Sequence, residues 1–256
     1  MLAHILVVVK LVFYYFAYQL VFGLIGEGVS SLCACIDDIT ATSLAMMAST
    51  IAMSWHLIHF GYVRFVEDKY REISLSMMGV SVVFVFSAIY VLNLLIEQAG
   101  IPNTLEKVFL EMSRNPFGVL SIAFMGPILE EMLFRGALQG YLQAICRIPW
   151  VAIVVSSLVF GVVHMNPAQI PFAFLLGMMF GWLYYRTGSL LPGIVGHVLN
   201  NVVATINMNL YGNAPIEDFV GNPAAMWTGV IVAAIICYLT IVWLNKNLPK
   251  FVGKNK

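Results

Sequence analysis

Hydrophobic residues gather along the chain into eight long runs, at about residues 3–25, 41–62, 75–96, 117–144, 149–165, 168–185, 190–208 and 225–245. A helix that crosses a bilayer needs about 20 consecutive apolar residues, so each run is a candidate span. Between them lie turn and breaker residues: Asp37-Asp38, the charged run from Arg64 to Glu72, Ile101-Pro102-Asn103, Asn166-Pro167, and the stretch from Asn213-Ala214-Pro215 to Asn222-Pro223. No soluble domain is left over. The pattern predicts an all-α, polytopic transmembrane helix bundle of about eight spans, a single integral membrane domain over residues 1–256.

Composition strengthens this reading. The chain is 61% hydrophobic and 10% charged, whereas soluble domains run near 45 to 50% apolar and about 25% charged. Its 13 basic side chains balance 13 acidic ones, which removes the electrostatic footprint of a nucleic-acid binder. Cys33, Cys35, Cys146 and Cys237 have neither zinc-type spacing nor a plausible disulfide framework, and read as small apolar fillers. The start, Met1-Leu2-Ala3-His4 with Lys10 inside the apolar run, lacks a basic leader and a small-residue cleavage site, so it is expected to be a span rather than a signal peptide.

Cytoplasmic loops carry the excess of lysine and arginine. With the N-terminus inside, ten basic residues fall on or near the cytoplasmic side: Lys10, Arg64, Lys69, Arg71, Arg147, Arg186, Lys246, Lys250, Lys254 and Lys256. Lys107 and Arg114 fall outside, as do the acidic loops at Glu27 to Asp38 and Glu217-Asp218. The expected topology has both termini cytoplasmic, in the plasma (inner) membrane if the source is prokaryotic.

The remaining basic residue, Arg135, lies within the fourth run, in Gly126-Pro127-Ile128-Leu129-Glu130-Glu131-Met132-Leu133-Phe134-Arg135-Gly136. Each ionisable group there costs about 2.5 to 3.5 kcal/mol at mid-bilayer, so the cluster needs partners and a reason. Glu131 and Arg135 are four apart and face each other one turn along a helix. Glu130 points about 100° away and has no partner within its helix, which suits a general acid or base. The plainer reading is a buried ion-pair network that fixes packing. Pro127 cannot donate the backbone bond to residue 123, so the helix is expected to kink or open there and admit water.

Two histidines share the later runs: His164 in Phe160-Gly161-Val162-Val163-His164, and His197 in Gly196-His197-Val198-Leu199-Asn200-Asn201. His197 and Asn201, four apart, present a ring nitrogen and a carboxamide on one helix face. His4, His56 and His59 lack a companion motif and read as packing residues. At 1.5 Å per residue, His164 lies about 22 Å from one end of the fifth run and His197 about 10 Å from the same end of the seventh. They meet only if the helices are tilted or the run ends lie elsewhere.

Glu130-Glu131-x-x-x-Arg135, Phe160-x-x-x-His164 and His197-x-x-x-Asn201, in that order and each in a hydrophobic segment, resemble the CAAX protease and bacteriocin-processing family of intramembrane endopeptidases, which includes the type II CAAX prenyl endopeptidases. The motif-bearing core spans about residues 117–208. The resemblance implies that Glu130 activates water with help from His164, that His197 and Asn201 stabilise the oxyanion, and that Glu131 and Arg135 support the site. It implies a peptide or protein substrate, prenylated if the CAAX likeness extends that far, met within the lipid bilayer. No cofactor is favoured. A divalent metal such as zinc, held by Glu130, His164 and His197, is the other way to activate water, although no HExxH pattern is present. Outside that family, buried Glu, His and Arg also suit a proton- or ion-coupled transporter, and a catalytically silent relative would use the cluster to bind a partner.

Overall fold

Nine helices carry the fold among the described residues. The computed structural model describes residues 2–33, 35–63, 73–212, 214, 218 and 220–248. Arg64, Lys69, Arg71, Glu72, Asn213, Pro215, Glu217, Lys250, Lys254 and Lys256 lie outside the described residues. The helices are α1 Leu2–Leu32, α2 Asp38–His59, α3 Leu75–Gln98, α4 Glu106–Ser113, α5 Pro116–Ile145, α6 Pro149–Val162, α7 Gln169–Thr187, α8 Leu191–Tyr211 and α9 Pro223–Asn247. The chain is thus an all-helical, multi-pass membrane protein.

All eight hydrophobic runs coincide with helices. Five helices, α1, α2, α3, α5 and α9, are long and apolar enough to cross a membrane. Helix α6 has only 14 residues, about 21 Å at 1.5 Å per residue against a hydrocarbon core of about 30 Å. Helices α7 and α8 have spanning length but carry polar residues, Arg186 in the last turn of α7 and Asn200 and Asn201 within α8. Length and hydropathy alone therefore give five candidate crossings among the described residues, against the expected count of about eight. The short amphipathic α4 has no counterpart in the hydrophobic pattern.

Local chemistry sets the helix ends. Asp37 caps α2 by accepting from the Thr40 amide at 2.9 Å and the Thr40 hydroxyl at 2.6 Å; these two donors hold the Asp37 carboxyl below its ordinary range. Asn115 caps α5, accepting from the Phe117 and Gly118 amides, with Pro116 at the first helical position.

Helix α1 packs on α2, α6 on α7 and α3 on α9, while α5 runs through the middle and touches α2, α6, α7 and α8. Phe134, Phe160, Leu129, Leu133, Met53 and Leu57 form one buried cluster around α5, and Phe84, Phe180, Leu183 and Leu244 another between α3, α7 and α9. On the outside, α1 and α9 expose Phe13, Leu20, Leu24, Ile231 and Leu239. In water such faces would demand a partner; in a bilayer the acyl chains supply it.

The opening expected at Pro127 takes a specific form. Helix α5 is α-helical at Gly126–Glu130 but widens into π turns on both sides, at Leu120–Met125 and Glu131–Gln139. The Gly126 amide donates to Ser121 five residues back, and Pro127 has no amide hydrogen to give. Neither position that would normally serve the Ile122 carbonyl does so. Widened turns of this kind recur where a helix carries function, and here the second begins at Glu131, directly after Glu130.

Candidate active site

Glu131 is 1% exposed, and so is Arg135. Arg135 Nη1 meets Glu131 Oε1 at 2.9 Å, as an ion pair rather than a linear hydrogen bond. The guanidinium carbon lies 4.3 Å from the Phe160 ring centre and 5.5 Å from that of Phe180, so two aromatic faces take the place of water. Space comes from glycine. A Cβ at Gly193 would fall 2.7 Å from Glu131 Oε2, and one at Gly177 would fall 3.2 Å from Arg135 Nη2. The pair predicted from the four-residue spacing is therefore formed, inside a cradle that α7 and α8 leave open by omitting two side chains.

His197, at 3% exposure, joins the two glutamates. Its Nδ1 lies 3.0 Å from Glu131 Oε1 and its Nε2 lies 3.5 Å from Glu130 Oε2. A carboxylate only accepts, so Nδ1 carries hydrogen and donates to Glu131, which fixes the ring. Nε2 is left to exchange a proton with Glu130, directly or through one water. Glu130 is the more accessible carboxylate, its side chain 20% exposed. Two adjacent glutamates thus occupy different environments: one locked in an ion pair, one on a cavity wall.

That cavity has a volume of about 350 Å³. Glu130, His164, His197 and Asn201 all line it, with Tyr15 and Phe160. His164 Nδ1 donates to the Phe160 carbonyl at 2.7 Å, since a carbonyl can only accept, which leaves Nε2 as the free ring nitrogen. The Phe160 ring centre lies 4.9 Å from that of His164 and 5.9 Å from that of His197. The histidines expected at different depths meet at one ring: His164 sits just past the end of α6, and both imidazoles flank Phe160.

Asn201 Nδ2 donates to the Ile122 carbonyl at 2.9 Å, and its Oδ1 accepts from Asn200 Nδ2 at 3.0 Å. The amide therefore satisfies the carbonyl freed by the π turn and by Pro127. A carboxamide has two N–H bonds, so one remains for the cavity.

Several site residues carried no signal in the sequence. Tyr15 is one of three tyrosines, with Tyr14 and Tyr18, in an apolar run, yet it reaches the cavity from α1. Asn166 and Asn103, each read only as a break, bond to one another at 2.8 Å across 63 residues, with Asn166 fully buried. That bond ties the α3–α4 connection to the α6–α7 turn beside the cavity. Such contacts depend on partners that local periodicity does not reveal.

The three residues that would serve zinc do not converge as a ligand set. Among the described residues, no group of three His, Cys, Asp or Glu side chains lies where one ion could be held.

A bundle of apolar helices around a buried Glu-Glu-Arg and histidine site defines a class of membrane-embedded proteins. Residues 113–203 match the family model described as type II CAAX prenyl endopeptidase Rce1-like, in agreement with the resemblance read from the motifs. The membrane-embedded CAAX protease MroQ of Staphylococcus aureus is 31% identical over 143 residues, 53% of this chain and 58% of that protein. The candidate membrane peptidase YdiL of Bacillus subtilis is 31% identical over 91 residues, 36% of this chain and 37% of that protein. The chain thus matches a little over half the length of one relative and about a third of the other. No solved structure matches it.

Proposed function

We propose that the protein is a membrane-embedded endopeptidase in which Glu130, without a metal, activates the water that attacks a peptide bond. The observation that carries this reading is the division of labour between adjacent glutamates: Glu131 is buried against Arg135, while Glu130 faces a cavity with His197 Nε2 3.5 Å away. Glu130 takes a proton from water as the oxygen bonds to the carbonyl carbon. Glu130 shares the proton it takes with His197 Nε2, 3.5 Å away, so that the resulting oxyanion is held by His197 Nε2–H and by the free N–H of Asn201, while His164 Nε2 helps to orient the water. When the tetrahedral intermediate collapses, the carbon–nitrogen bond breaks and the proton from Glu130 passes to the departing amine. Preorganised donors in a water-poor site contribute about 3 to 4 kcal/mol each to such a step.

The test is turnover by purified protein on a peptide library, with and without chelator and with elemental analysis. Glu130→Gln keeps the size and removes the base, so turnover should vanish while thermal stability stays close to wild type. Asn201→Ala should lower turnover on the order of a hundredfold, with metal content at background throughout. Stoichiometric zinc that is lost in His197→Ala would overturn the metal-free mechanism. Full activity in Glu130→Gln would remove the proposed base altogether.

A further inference from the structure

The cavity lies wholly to one side of the Glu131–Arg135 pair. Its lining residues precede Glu131 on α5, precede Gly177 on α7 and follow Gly196 on α8. At its shallow limit Asn103 and Ala204 are exposed, and at its deep limit Phe160 and His197 are buried. Beyond the pair the bundle is filled: Gln139 is fully buried and donates to the Gly181 carbonyl at 2.8 Å, and Val63 and Leu190 close on Gly136.

The basic residues stand at the closed end. Lys10 lies over the Tyr62 ring beside Val63, Arg147 joins α5 to α6, and Arg186 bonds to Asn245 and Leu248 at the end of α9, next to Lys246. The open end holds Lys107 and Arg114 among seven described acidic residues, including Glu27, Asp37, Asp38 and Glu106. Basic residues near span ends mark the cytoplasmic side, which makes the closed end cytoplasmic.

The lining also has a definite chemistry. None of its residues is lysine or arginine. Carboxamides of Asn103, Gln169 and Asn200 line it together with Met46, Phe109 and Phe172. Carboxamides donate and accept, as an extended peptide backbone does. A carboxylate would find no cation here and would meet Glu130.

We infer that the cavity opens at the extracytoplasmic face and receives there an uncharged, extended internal segment of a peptide, an inference that rests on the peptidase reading of the site. The native cysteines report the orientation: Cys33 and Cys35 are exposed at the open end, and Cys146 lies beside Arg147 at the closed end. The experiment uses a membrane-impermeant charged maleimide on intact cells that carry three variants: Cys33 and Cys35 only, Cys146 only, and Ala204→Cys in a cysteine-free chain. Ala204→Cys and Cys33 with Cys35 should react from outside, and Cys146 only after permeabilisation. Labelling of Cys146 from outside, with Ala204→Cys silent, overturns the assignment of sides.

Sealed right-side-out and inverted vesicles then receive an internally quenched, uncharged peptide. Cleavage is expected only in right-side-out vesicles. A version ending in a free carboxylate three residues past the cleaved bond should react roughly tenfold or more slowly than its amidated form, because the charge is desolvated unpaired. Cleavage confined to inverted vesicles, or faster cleavage of the free acid, overturns this inference and leaves the peptidase reading intact. No cleavage by either preparation overturns the peptidase reading and the substrate class with it, and the maleimide result still decides which face the cavity opens to.

Discussion

At the scale of single residues, the site depends on a charge balance held without water. Glu131 Oε1 serves both Arg135 and His197, so removing either acidic or basic partner leaves a buried group uncompensated. Arg135→Ala is expected to lower stability by about 3 to 5 kcal/mol, and Glu131→Gln to lower it in the same direction, both read as thermal unfolding in detergent. The comparison is with Glu130→Gln, whose wild-type-like stability would show that the adjacent carboxylates have separate duties; equal losses in all three would indicate one structural network. Gly193 matters through the atom it lacks. Gly193→Ala brings a methyl to 2.7 Å from Glu131 Oε2, an overpacking expected to cost about 1 to 3 kcal/mol and to lower turnover by moving Glu131 and, through it, His197. Wild-type turnover in Gly193→Ala would mean that the cradle does not set the ring.

At the scale of helices, α5 shows what one proline does to its neighbours. Its missing amide leaves the Ile122 carbonyl to Asn201, so a local defect in one helix becomes a tie to another. Pro127→Ala supplies an amide hydrogen able to compete for that carbonyl. We expect stability to rise, by up to about 3 kcal/mol, while turnover falls as Asn201 and the Glu130 turn shift; unchanged turnover in a stabilised variant would show that the π turns are incidental. The same helix shows what sequence patterns could convey. Runs of apolar residues mark all the long helices, and the spacing of four in Glu131 and Arg135 places them together, because both signals are local. An opening at Pro127 was legible, but its π form, the amphipathic α4 and the Asn103–Asn166 bond were not, since each is decided by packing between segments far apart in the chain. Tyr15 was hidden for a related reason: only the approach of α1 to α5 distinguishes it from the other tyrosines of α1.

At the scale of the whole molecule, the bundle is lopsided. Among the described residues, basic side chains and tight packing gather at one end, while the cavity and most acidic residues lie at the other. The termini are therefore expected on the basic side, and a reporter fused after Lys256 should report a cytoplasmic location; an external signal would reverse the topology. Helix α6 adds a property of a different kind. Its 14 residues cover about 21 Å, well short of the hydrocarbon layer, and it ends next to His164. Lipid beside it must thin to meet the helix, at a cost that grows with acyl-chain length. We expect such a dimple to shorten the distance that water and a polar peptide backbone travel through oil. In vesicles of graded chain length, turnover should decline as the bilayer thickens while the folded fraction holds, and a rate indifferent to thickness would show that the dimple plays no part in catalysis.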